Sequence, residues 1–152
     1  MLLNFENGDP FTTGSASYRY RQFRNAPRIF IKIKVEGEEA EAFLDTGGIY
    51  FLCSPELAEK VGIDPTAALE SLEIRMTRFT IRGVLHRLGI ELLSEDGADY
   101  PVEVTAFFPD PDQSVGERLP VSYLGMLGCL ERFRFAIDPD PERQRFYFGP
   151  CP

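Results

Sequence analysis

One histidine, three cysteines and 24 aspartates and glutamates bound the chemistry that these 152 residues can carry. With His86 alone, no histidine-rich metal site can form. Cys53, Cys129 and Cys151 are odd in number and far apart, without the paired spacing of a metal knuckle or a disulfide framework, so reduced thiols are expected and no metal or cofactor is. Carboxylate is plentiful, and its chemistry is the giving and taking of protons. Most of these acids must be solvated surface charge. The tripeptide Asp45-Thr46-Gly47 stands out because the apolar run Ala42-Phe43-Leu44 leads directly into it. Taken alone, Asp, Thr and Gly also describe an ordinary turn.

The elements that would position Asp45 follow from the alternation around it. Ile29, Ile31, Ile33 and Val35 share one face of a strand, with Lys32, Lys34 and Glu36 on the other. Gly37 marks a turn, and Ala40, Ala42 and Leu44 continue the buried face of a return strand, which leaves Glu41, Phe43 and Asp45 on the opposite side. Ser54-Pro55-Glu56 supplies an N-cap, a first-position proline and an acid in the first turn, so a short helix is predicted over 55–61, closed by Gly62. A further helical turn is predicted from Asp64-Pro65 to Leu69. Two extended runs, 74–81 and 84–93, flank Arg82-Gly83 and predict a long hairpin with its tip there. Tyr100 to Phe108 alternates as a strand that Pro109 stops. Pro109, Pro111, Gly116 and Pro120 define an exposed loop. Leu127 and Leu130 suggest a short helix before the strand pair around Phe133–Ile137 and Phe146–Phe148. Residues 1–27 read as a partly irregular arm with room for one edge strand, 28–149 as one domain and 150–152 as a tail. At 152 residues with 43% hydrophobic content, one core is expected. The architecture is all-β with one or two short helices.

The run AFLDTGG resembles the aspartic protease signature of two apolar residues followed by Asp-Thr-Gly, and SPELAEKVGI resembles the segment next after that signature in bacterial retropepsin-like domains. The later VSYLGMLGCLERFRFAIDP is similar to that family's apolar strand, Leu-Gly step, short helix and return strand. The resemblance covers residues 28–149 and implies a retropepsin-like acid-protease barrel with a flap hairpin. It further implies an aspartic endopeptidase in which Asp45 is catalytic and Thr46 ties the two active-site loops together. Gly47 would then admit substrate backbone. Gly48 and Ile49, with Arg82, Gly83 and Val84 at the hairpin tip, are the expected peptide-binding residues. With a single Asp-Thr-Gly, the implied enzyme is a homodimer acting on a peptide or protein substrate.

Two positions depart from the family pattern. Gly48-Ile49 stands where Ala or Ser and then a small polar or acidic residue are usual, and Met126 stands where Arg or Asn often follows the Leu-Gly step. The prolines of Gly149-Pro150-Cys151-Pro152 also suit poorly the interleaved terminal strands of retroviral dimers. A retropepsin-like module that holds peptides without cutting them, and an unrelated small barrel in which Asp-Thr-Gly is a turn, therefore remain alternatives. The net charge of −8 argues against nucleic acid as a partner. No apolar run reaches membrane-spanning length, and MLLNFENGDP lacks a signal peptide's pattern, so a cytoplasmic protein is expected. His86 reads as a surface residue, and Cys53 and Cys129 read as small core residues.

Overall fold

The computed structural model describes residues 2–63, 69–113 and 119–151. Its strands are β1 (Gly14–Ser17), β2 (Arg19–Phe23), β3 (Ala26–Val35), β4 (Glu38–Ile49), β5 (Phe51–Leu52), β6 (Glu70–Arg75), β7 (Thr80–Leu92), β8 (Asp96–Gly97), β9 (Tyr100–Pro109), β10 (Ser122–Leu127), β11 (Phe133–Asp138) and β12 (Arg145–Pro150). Helix α1 (Pro55–Val61) and a 3-10 turn at Leu130–Arg132 complete the described elements. The all-β expectation holds.

The hairpin of β3 and β4 forms as its alternation requires. Ile33 and Val35 are fully buried on one side, and Glu36 and Gly37 reverse the chain with φ of 49° and 81°. Strand β3 also pairs with β7. The ring β3-β4-β10-β5-β9-β7 therefore closes on itself, with β2 and β6 flanking it as edge strands. A second sheet, in the order β11-β12-β1-β8, packs Phe146 and Phe148 into the same core as Ile31, Ile33, Leu88, Ile90 and Leu124.

Burial on the other face of β4 exceeds what its alternation shows. Phe43, on the Asp45 side, is buried in a second cluster with Phe30, Leu52, Ile74, Ile81, Phe107 and Tyr123. That cluster joins the hairpin of β6 and β7 to the outside of the barrel.

Helix α1 has the expected limits. The Ser54 hydroxyl accepts a hydrogen bond from the Leu57 N–H at 3.3 Å, and Gly62 caps the far end in the left-handed region at φ 66°. The helical turn expected over residues 64–69 falls mainly outside the described residues.

Three readings change. The hairpin tip is not at Arg82-Gly83: the turn is Met76–Phe79, closed by Met76 N–H donating to the Phe79 carbonyl at 2.7 Å, and Gly83 lies inside β7 between Leu72 and Pro109. Gly83 answers to packing, because a Cβ there would lie 2.3 Å from the Phe108 carbonyl oxygen and 2.6 Å from the Phe107 ring. His86, three residues further on, is consequently mid-strand and buried, its ring edge-on to Phe108 at 5.2 Å. Finally, Leu127 ends β10 as an exposed residue, and the helix after it is a single 3-10 turn.

Residues 14–23, read as part of the arm, form β1 and β2. Both are stitched into the body, β1 against β12 and β8 and β2 against β3. Strand β12 thus has β11 on one side and β1 on the other, so its pairing edges are taken within the chain.

Candidate active site

Consecutive strands β4 and β5 are separated only by Tyr50, yet they lie on opposite sides of β10, which runs parallel to β4 and antiparallel to β5. The chain makes this split at Tyr50, in the left-handed region at φ 60°. Gly125 fills the crook. Its N–H donates to the Tyr50 carbonyl at 2.8 Å, and a Cβ on it would lie 2.5 Å from that oxygen and 2.6 Å from the Ile49 carbonyl carbon. In register, Tyr123 stands beside Phe43, Leu124 beside Leu44 and Gly125 beside Asp45. The Leu-Gly step and the Asp-Thr-Gly, 80 residues apart in sequence, are therefore one piece of structure.

Asp45 is half-buried, while Thr46, Gly47 and Ile49 are exposed. The Asp45 carboxylate lies over the glycines after it: a Cβ on Gly47 would be 3.7 Å from Oδ1, and one on Gly48 only 2.6 Å from Oδ2. Among the described residues that carboxylate takes part in no hydrogen bond or ion pair. It is therefore available to water and to a ligand.

An aromatic wall adjoins it. The Phe43 and Tyr123 rings meet edge-on at 5.1 Å, and Phe23 reaches both, at 5.8 and 6.0 Å. Burial pushes the Tyr123 phenol above its ordinary pKa; Arg24 and Arg28 oppose that rise, and the Asp45 charge adds to it. The Arg24-Asn25 turn that joins β2 to β3 approaches the Met76–Phe79 tip here, with the Arg24 guanidinium 5.9 Å from the Phe79 ring centre.

Of the residues expected from sequence, Asp45, Thr46, Gly47, Gly48 and Ile49 form one loop beside Gly125. Arg82, Gly83 and Val84 stand elsewhere. The Arg82 N–H donates to Gln113 Oε1 at 3.2 Å, the Arg82 carbonyl accepts from Asp110 N–H at 2.9 Å, and Val84 lines a groove with Pro55, Ala58, Ile63 and Phe108. Sequence reasoning did not single out Phe23, Phe30, Tyr123 or Arg28. The one signal pointing to them was Phe43 alternating onto the same strand face as Asp45.

Cys53 and Cys129 are fully buried, and burial pushes each thiol up to about 12. Neither is poised as a nucleophile at neutral pH. No helix among the described residues is long and apolar enough to cross a membrane.

No protein-family model matches the chain, and no curated protein does. Among solved structures, a retropepsin-like aspartic protease from Rickettsia conorii superposes with a TM-score of 0.58 at 21% identity, covering 91% of this chain and 94% of that one. The class is thereby set at the level of fold: this is the all-β, retropepsin-like acid-protease architecture, with Asp45-Thr46-Gly47 beside the Gly125 crook.

Proposed function

We propose that the chain is an aspartic endopeptidase that works as a homodimer, each copy supplying one Asp45. The observation that carries this is the Asp45 carboxylate itself: half-buried, without an ionic or hydrogen-bonding partner among the described residues, and fixed beside Gly125 in a protease fold. Cleaving an amide without a metal or covalent nucleophile takes one group that accepts a proton from water and another that gives one to the carbonyl oxygen. Two carboxylates about 3 Å apart cannot both ionise, so they share a proton and hold both roles at once. The ionised Asp45 takes the water proton as the oxygen attacks the carbonyl carbon, and the protonated Asp45 gives its proton to the carbonyl oxygen. Collapse of the tetrahedral intermediate then breaks the C–N bond. The Asp45 that took the water proton gives it to the leaving nitrogen, and the other Asp45 takes back a proton from a hydroxyl of the intermediate.

Thr46, exposed beside Asp45, holds the two loops against each other, and Gly47 and Gly48 let the substrate backbone approach. Ile49 offers its backbone to the peptide. The flap role falls to the hairpin tip Met76–Phe79 in place of Arg82, Gly83 and Val84, because that tip approaches the aromatic wall through Phe79. The free thiols of Cys53 and Cys129 fit a reducing, cytoplasmic setting.

Gly48, Ile49 and Met126 favour a second reading, a module that holds peptides without cutting them. Both readings are tested by measuring size across concentration together with digestion of a peptide library by wild type and Asp45→Asn at several pH values. The protease reading expects a dimer and acid-favoured cleavage, blocked by a statine-type peptide and lost in Asp45→Asn. Unchanged cleavage in Asp45→Asn would sink it; a persistent monomer that binds peptides intact establishes the second reading.

A further inference from the structure

Phe30 stands opposite Phe43 across the antiparallel β3–β4 pair. Arg28, two residues before Phe30, and Asp45, two residues after Phe43, are therefore on one face and at one end of that pair. Arg28 is exposed, its guanidinium lies 5.5 Å from the Phe43 ring centre, and among the described residues it joins no ion pair. Its partner directly across β2 is another arginine, Arg21, whose charge is met by Glu41. Like charges set opposite each other in a sheet are unfavourable, and an anion at Arg28 would relieve the pair.

The second observation is independent. Tyr123 is 4% exposed, and its phenol oxygen has no hydrogen-bond partner among the described residues. A buried hydroxyl left unpaired is unfavourable, and a ligand acceptor would satisfy it. Its ring packs on the same Phe43 that underlies Arg28, and Phe23, Ile74 and Phe79 belong to its apolar cluster, so parting of the hairpin is what would uncover it.

We propose that Arg28 and Tyr123 form a subsite for a carboxylate of the substrate, so that the chain selects peptides with an acidic group close to the scissile bond. This rests on the endopeptidase reading above. The guanidinium supplies the opposite charge and the phenol a hydrogen-bond donor, which a neutral amide in the same place would match only in shape. Two sources share this chemistry, an Asp or Glu side chain and a peptide's terminal carboxylate.

The test uses peptide pools with a central apolar pair flanked by Glu, Gln or Lys, all C-terminally amidated, and one Gln pool with a free C-terminus. Cleavage is measured with the wild-type chain, and binding by fluorescence anisotropy with Asp45→Asn. The Glu pool is expected to exceed the Gln pool about tenfold in both readouts. Arg28→Gln should erase that preference, Arg28→Glu should turn it toward Lys, and Tyr123→Phe should narrow it. Preference for the free-terminus pool would assign the carboxylate to the chain end. Cleavage that does not discriminate overturns the subsite and leaves the protease reading standing. Arg28-dependent binding without cleavage supports the subsite and removes the protease reading. Failure of both readouts overturns both.

Discussion

The Asp45 carboxylate and Gly48 occupy nearly the same space, since a Cβ at position 48 would lie 2.6 Å from Oδ2 and 3.1 Å from Cγ. Glycine here sets the direction in which the carboxylate points. Gly48→Ala, the residue usual at this place in the family the sequence resembles, should turn the carboxylate and change kcat/KM by less than about tenfold, short of the roughly hundredfold that misplacement of a reacting group by about 1 Å brings. Stability should stay within about 0.5 kcal/mol, because the loop is partly exposed and a carboxylate can turn. Steady-state kinetics beside urea unfolding checks the two halves separately.

Gly125 meets backbone and cannot be relieved in that way. Gly125→Ala places a methyl group against the Tyr50 carbonyl and the Ile49 backbone, so it should destabilise the fold by about 1–3 kcal/mol or more. Gly89→Ala is the control, since nothing lies within 4 Å of its Cβ position. The urea midpoint should fall clearly for the first variant and hardly move for the second.

Thiol reactivity should separate the cysteines. Cys53 and Cys129 are buried with their thiols pushed up to about 12, whereas Cys151 is exposed. Iodoacetamide at neutral pH should label the native chain at Cys151 alone and reach the other two only in denaturant, as read by intact mass and peptide mapping.

Glu95 ties β1 to the turn before β8. Its carboxylate accepts from the Ser17 hydroxyl at 2.6 Å and from the Ser17 N–H, and these bonds hold its pKa below the ordinary 4.5. A depressed folded pKa contributes stability that is present above the unfolded value and lost as pH falls through the folded one. Glu95→Gln should therefore destabilise at neutral pH, by a few tenths to about 1 kcal/mol after solvent screening. The difference should shrink below pH 4.5 and vanish once wild-type Glu95 is protonated; denaturant melts across pH measure it.

Where pattern and cap chemistry are local, the sequence was legible. The β3–β4 hairpin, the placement of Asp45 and the limits of α1 all follow from alternation, the Glu36-Gly37 turn and the Ser54 and Gly62 caps. The hairpin tip was not, because Met76-Thr77-Arg78-Phe79 holds no turn-forming residue while Gly83, which looks like one, is required by Phe107 and Phe108 of β9. Strand β1 was hidden because Gly14 pairs with Phe148 at the other end of the chain, whereas β2 is the arm's edge strand, paired locally with β3. Arg28 and Tyr123 join Asp45 only through the β3–β4 register and the parallel β4–β10 pairing, which no local pattern announces.

The most direct test of the shared Asp45 pair is a mixing experiment. Wild-type and Asp45→Asn chains are unfolded together, refolded at fixed total concentration in varied ratio, and assayed on one peptide. If each active site needs an Asp45 from both copies, an equal mixture keeps about a quarter of the wild-type activity, since only that share of random dimers has both. Activity that falls in simple proportion, to about half at equal mixing, would contradict the account, because each chain would then be cutting with its own Asp45 alone.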